Sequence, residues 1–298
     1  MSAHAIKRMR STGNDTNPVE GTVSWNPVKS LWYSSHCLVA LVGAALWFEW
    51  KAVFVCGALT VVTLCCGHTV GLHRMLIHRS LKCPLWLERF LIYLGTLVGM
   101  GGPFNMIYLH DIRDWAQRHT CCHGFFIHSS GIIRDWWWNL HCRIRLAHPP
   151  EFTIEPERLN DPFLRFMQQT WMLQQLPLAA VLYWIGGWSF VAMGISGRIA
   201  LSLTGHWLIG FFAHNHGVRR WHITGHAAQG YNLPGLGLLT MGESWHNNHH
   251  AYPDSARLGH HHQADPGWWF VKVLGMLGLA SEVSVPETLP PRPERVLL

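Results

Sequence analysis

The stretch that decides the fold runs from residue 30 to residue 72: SLWYSSHCLVALVGAALWF (30–48), then EWK, then AVFVCGALTVVTLCCGHTVGL (52–72). Neither outer run contains Asp, Glu, Lys or Arg. Each is close to the ~20 residues a helix needs to cross the hydrocarbon core of a bilayer. Only Glu49, Trp50 and Lys51 separate them, so the two runs predict a tight helical hairpin.

Downstream, 168–185 and 189–213 read as a second hairpin turning at Gly186-Gly187, with Arg198 interrupting its second arm. An arginine at mid-membrane costs about 3 kcal/mol on insertion scales, which blurs that boundary. Residues 90–109 are uncharged too, but GMGGP at 99–103 breaks any straight helix, so they read as a re-entrant or in-plane segment returning to the face it left. The expected fold is an all-α integral membrane protein. It has four transmembrane helices (about 30–48, 52–72, 168–185 and 189–213) in two hairpins, under a cytoplasmic His-rich helical cap (73–165 and 214–280) with in-plane helices. Residues 30–280 form this one domain. Residues 1–29 read as a flexible cytoplasmic lead and 281–298, with PETLPPRPERVLL, as a disordered tail.

Orientation follows from Lys and Arg. The hairpin tips hold only Lys51, whereas the lead carries Lys7, Arg8, Arg10 and Lys29, and 110–165 carries seven arginines. Both termini and the cap are therefore expected on the cytoplasmic side, with a bacterial inner membrane as the setting. Composition agrees: 49% of residues are apolar and 13% charged, too few charges for an ordinary soluble domain. The net charge of +6 has no long basic run behind it, so membrane lipid is the expected partner and nucleic acid is not. None of the eight cysteines forms a CxxC pair, which suits a reduced interior.

The 22 histidines carry the chemistry. HRMLIH places His73 and His78 at the end of the second span. Five residues turn an α-helix by about 140°, so the two rings should diverge and each serve one of two adjacent ions. HNNHH (246–250) puts His246 and His249 on one helical face with His250 beside them, and His214 closes the fourth span. Several neutral imidazoles at one membrane face suit Fe, Zn or Cu. Isolated histidines such as His36, His68 and His206 read as snorkelling or capped side chains, His222 and His226 as surface, and the run 260–262 as solvated.

GLHRMLIHRSLK (71–82) and GESWHNNHHAYP (242–253) resemble the first and third histidine boxes of the membrane fatty-acid desaturases, specifically the acyl-CoA (stearoyl-CoA-like) Δ9 branch in a bacterial form. GFFIH (124–128) resembles the stretch after the second box and FFAHNHG (211–217) the segment with an extra histidine, so that the likeness covers roughly 25–275. It implies two iron ions held by histidines, O2 as co-substrate, and removal of two hydrogens from an acyl chain presented as a thioester or a lipid ester. It implies His73, His78, His110, His214, His246, His249 and His250 as ligands. No HPGG-type haem string occurs, so electrons are expected from a separate ferredoxin, rubredoxin or cytochrome b5-like donor with its reductase.

The second box, HxxHH in the family, is altered. HDIRD (110–114) keeps His110 but has Arg113 and Asp114 where the family pairs histidines. Asp114 can offer a carboxylate to iron; Arg113 has no lone pair to offer. HTCCH supplies His119 and His123 as alternatives, and Gly210 stands where the family often has Asn. Arg143 and Arg145 are candidates for an acyl-donor phosphate or lipid headgroups. Two other readings stay open: a di-iron lipid hydroxylase or ketolase, and a non-catalytic lipid-binding protein with a decayed metal site.

Overall fold

The computed structural model describes residues 8–11, 15–260 and 262–298. Strands β1 (Met9–Arg10) and β2 (Asn17–Trp25) precede α1 (Pro27–Leu46); α2 (Trp50–Val62) passes directly into a wide-turned helix, Thr63–Ile77. Then come α3 (Leu85–Leu97), α4 (Pro103–Gln117), α5 (Ile132–His141), β3 (Cys142–His148), β4 (Glu151–Phe152), α6 (Pro156–Leu159) and α7 (Pro162–Thr170). Helix α8 (Gln175–Val191), a second wide segment (Ala192–Gly197) and α9 (Arg198–Asn215) are continuous; β5 (Trp221–Ile223), α10 (His246–Ala251), α11 (Pro266–Met276) and β6 (Arg295–Leu297) complete the chain.

Two helices are long and apolar enough to cross a membrane: Trp50–Ile77, with mean hydropathy 1.9, and Gln175–Asn215, with 1.7. The second is not straight. Gly187 adopts φ 63°, and the Leu182 side chain packs on Gly194. Twelve residues of straight helix would hold those two about 18 Å apart, so the chain turns back at Gly186-Gly187. Arg198, expected to interrupt the second arm, lies inside it and is fully buried. Its guanidinium donates to Gly194 O at 2.9 Å, to Gln175 Oε1 at 2.6 Å and to the carbonyl of Leu97, the last residue of α3. A helix-terminal carbonyl has no partner of its own, and here the arginine supplies it.

The outer faces of α1, α2 and α8 expose Leu31, Leu38, Leu41, Phe54, Val181, Trp184 and Ile185, a surface suited to lipid. The inner face of the wide helix packs on α3 through glycines. A methyl group on Gly67 would come within 2.6 Å of Leu94 O, and one on Gly71 within 2.6 Å of Leu91 O. Only glycine permits backbones that close. After α3, the break at 98–102 turns α4 back so that His110 Nε2 lies 3.1 Å from His78 Nε2.

Three expectations need correction. The protein is mainly helical but not all-α: β2 pairs antiparallel with β3, β1 with β4, and β5 with β6. The lead is not a free segment where it is described, since β2 occupies 17–25 and its last five residues pair in register with Cys142 through Leu146 or their neighbours. Arg8 is buried, donating to the carbonyls of Leu76 and Ile77 at 3.1 Å each and so capping the wide helix. Lys7 and residues 1–6 lie outside the described residues. The tail is held as well. Arg292 donates to His250 O at 2.7 Å and Arg295 stacks on Tyr252 at 4.0 Å, while β6 pairs with β5. Proline-rich composition signalled disorder; arginine contacts to the backbone of α10 override it.

Candidate metal centre

Seven imidazoles form two adjacent groups. His73, His78, His110 and His249 offer nitrogen atoms within 4.8 Å of one another, as do His214, His246 and His250. Helix α10 serves both. His246 and His250, one turn apart, face the second group, their Nε2 atoms 3.0 Å apart, while His249 turns to the first. The ring centroids of His246 and His249 are 5.8 Å apart, which sets the groups side by side.

His73 and His78 share one group, contrary to the divergence expected of an α-helix. The helix that carries them is wide: His78 N–H donates to His73 O at 3.0 Å, five residues back. In such a turn, residues five apart stand nearly above one another. Their rings accordingly meet at 4.8 Å.

The ring orientations fit a cation. His214 Nδ1 bonds the Gly210 carbonyl at 2.8 Å and His110 Nδ1 lies 3.1 Å from Asp111 Oδ1. His73 Nδ1 is 2.9 Å from Glu243 Oε2. A proton on Nδ1 leaves Nε2 as a lone pair. Yet Nε2 of His246 lies 3.3 Å from that of His214, and Nε2 of His78 lies 3.1 Å from that of His110. Each close pair can be closed by an N–H···N hydrogen bond from His246 or His78; what suits a metal ion is the number of nitrogens gathered, four in one group and three in the other, all within 4.8 Å. Carboxylate or carbonyl partners on the far nitrogen are also what metal-bound imidazoles use to fix their orientation.

The other candidates fall outside both groups. Asp114 pairs with Arg118 at 2.5 Å. Burial alone would raise its carboxyl, but Arg118 and the imidazoles of His110, His78 and His250 hold it below the ordinary range. His119 Nδ1 bonds the Trp115 carbonyl at 2.9 Å, and His123 Nδ1 accepts from Phe125 N–H at 3.1 Å. An i,i+4 pair needs a helix, and α4 ends at Gln117. Arg143 and Arg145 are exposed on β3, two residues apart and so on one face, and belong to neither histidine group.

Arg113 is turned aside. It donates to His128 Nε2, to Asn139 Oδ1 at 3.0 Å and to Phe126 O at 3.3 Å. His128 Nδ1 in turn bonds the fully buried Asp135 at 2.8 Å, which also accepts from Trp207 Nε1 at 2.8 Å. Gly210 belongs to the same arrangement: its Cβ, if present, would stand 3.0 Å from His128 Nε2. Positions 113 and 210, at which the resemblance led to an expectation of histidine and asparagine, thus both adjoin His128. Reading the residues singly had missed His128, Asp135 and Glu243. It also missed Gln117, whose amide nitrogen is 3.0 Å from His214 Nε2. Gln117 lies seven residues from His110, two turns along the same helical face, which was the available signal.

Burial, reinforced by Arg113, lowers the His128 imidazole to about 4 from an ordinary 6.5, and burial lowers His250 to about 4 against the pull of Asp114. Below pH 6.5 the unfolded chain takes up protons that these folded imidazoles refuse until about pH 4, so stability falls as pH falls across that window. The expected loss at about pH 5.5 is ~1.4 kcal/mol per imidazole. The melting temperature of metal-free protein measured from neutral to mildly acidic pH should drop accordingly; a flat profile would contradict neutral buried rings.

Two long apolar helices and two adjacent histidine groups are the features of a metal-binding membrane protein. Relatives specify it further. The chain is 33% identical over 286 residues to the sn-1 stearoyl-lipid 9-desaturase of Synechocystis sp., covering 92% of this chain and 84% of that protein. It is 32% identical to the acyl-CoA C20 Delta5-desaturase of Anemone leveillei, over 81% of this chain and 77% of the relative. To the chloroplastic palmitoyl-monogalactosyldiacylglycerol delta-7 desaturase of Arabidopsis thaliana it is 33% identical, over 85% and 67% respectively. No protein-family model matches the chain. The chain belongs to the fatty acyl desaturase family.

Proposed function

We propose that the protein is an O2-dependent di-iron desaturase that introduces a double bond into a saturated acyl chain. The observation that carries this reading is the gathering of four and of three imidazoles, nitrogens within 4.8 Å, in two neighbouring groups. His73, His78, His110 and His249 would hold one iron ion; His214, His246 and His250 the other, with Asp114 and Gln117 alongside. Paired iron with O2 supplies an oxidant strong enough for an unactivated C–H bond, which no side chain provides. The protein's own part is to orient His110 through Asp111 and His214 through the Gly210 carbonyl, and to bury His73 and His249 away from water.

The relatives act on lipid-bound or CoA-bound chains, and either carrier suits this protein. A separate ferredoxin, rubredoxin or cytochrome b5-like donor with its reductase would supply electrons. We place four spans in the bacterial inner membrane: α1, Trp50–Ile77, and the two arms on either side of Gly186-Gly187. The arginine-rich 110–165 segment and the termini then face the cytoplasm, where Arg143 and Arg145 would meet headgroups.

The test is purification with metal analysis and product mass spectrometry. About two irons per chain and an acyl product short of two hydrogens are expected. A hydroxylase on the same scaffold is the second reading, favoured by the three-imidazole group and Arg113; it predicts a product that gains one oxygen instead. A fully loaded enzyme that leaves acyl chains unchanged would sink both.

A further inference from the structure

The wide helix repeats histidine every five residues: His68, His73 and His78. Each interval is one wide turn, so the rings form a column. The centroids of His68 and His73 lie 6.3 Å apart with planes at 28°, and those of His73 and His78 lie 4.8 Å apart. The upper two belong to the four-imidazole group and His68 does not. On α9 a second column runs His206, Gly210, His214 at four-residue intervals on one face. His214 belongs to the three-imidazole group, and the His128 ring lies against Gly210 and stacks on His214 at 5.3 Å. The lower members of the two columns meet: His68 and His206 are 5.1 Å apart, edge to face.

This pair is not the capped, isolated side chains that the sequence suggested. His68 is 7% exposed, and neither ring has a hydrogen-bond partner among the described residues. The His206 ring is exposed, although His68, Arg113, His128 and His110 are all close enough to act on it electrostatically. The pair is therefore accessible through His206, one ring away from His73 of the four-imidazole group. A neutral imidazole carries one donor and one acceptor, and leaving both unmatched against methylene groups is unfavourable. A plain alkyl chain lying there would do that. A hydroxyl would not, because it can accept from one ring and donate to the other, and at 5.1 Å both rings can reach one oxygen.

We propose that His68 and His206 form a polar subsite for a hydroxyl carried by the acyl chain a few carbons from the reacting carbon. Hydroxylated acyl chains are then the preferred substrate class. This rests on the acyl-chain reading above, and the experiment separates the two. Purified protein in detergent is titrated with stearic acid and with hydroxystearic acids whose hydroxyl is moved along the chain, binding being read by tryptophan fluorescence. One narrow range of hydroxyl positions should bind about tenfold more tightly than stearic acid, as two net hydrogen bonds imply. In His68→Val/His206→Val the preference should shrink to within about twofold while iron content is unchanged. His206→Asn, which keeps a donor and an acceptor, should retain part of it and serves if the double variant does not fold. Equal binding of stearic acid, or a preference that survives the double variant, overturns the subsite. A selective protein that never alters an acyl chain leaves the subsite standing and overturns the desaturase reading alone.

Discussion

His249→Ala should abolish product formation, a fall of roughly 100-fold or more, and should release iron from the four-imidazole group. His249 is the imidazole through which α10 reaches across from one group to the other. Its ring lies 4.8 Å from those of both His73 and His78 and 6.0 Å from that of His250. It is 8% exposed, and its Nδ1 has no partner, so apart from a metal it makes no polar contact that holds it there. Truncation therefore removes a desolvated polar ring along with its packing, and the metal-free variant should fold. Iron per chain should fall by about half while the elution volume and helicity stay at wild-type values. The exposed His148→Ala is the matched control and should change neither reading. A His249→Ala protein that keeps full iron and activity would mean that the two groups are not the reacting centre.

Much of this centre was legible because its residues come in short strings. HNNHH and HRMLIH each announce several imidazoles in one segment, and the uncharged runs on either side of Glu49–Lys51 announce the helices α1 and Trp50–Ile77. What could not be read was the pitch of the helix. Five-residue spacing means divergence in an α-helix and alignment in a wide one, and the close approach of Gly67 and Gly71 to α3 is visible only in three dimensions. For the same reason His68 looked solitary, since its partner is 138 residues away on another helix. Arg113 looked like a lost ligand because the string says nothing of His128, which takes up its guanidinium. The ends were misread on composition: β2 and β6 are held by pairing partners more than 70 residues distant in sequence, and local polarity does not encode those.

Arg74→Met should lower the stability of the fold by about 3–5 kcal/mol, because it strands a buried carboxylate. Arg74 and Asp265 are each 1% exposed and are joined at 2.7 Å. Asp265 is saturated on its other sides: Oδ2 accepts from the backbone of Leu258 and Gly259, and Oδ1 caps α11 through Trp268 N–H, all at 2.9 Å. Arg74 also donates to Ala256 O at 2.8 Å. The pair therefore ties the residue after His73 to the loop that follows α10, linking the two segments that supply five of the seven imidazoles. Asp265→Asn should be damaging as well, since it leaves the arginine charge buried without its counter-ion. In Arg74→Met/Asp265→Asn no charge remains buried, and part of the loss should return; a double variant no better than the worse single one would show that the cost lies in packing. The melting temperature in detergent is one readout, with a drop of at least ~5 °C expected for each single variant. Iron affinity is the other, and it should fall with stability if the ion pair holds His73 in register with His249.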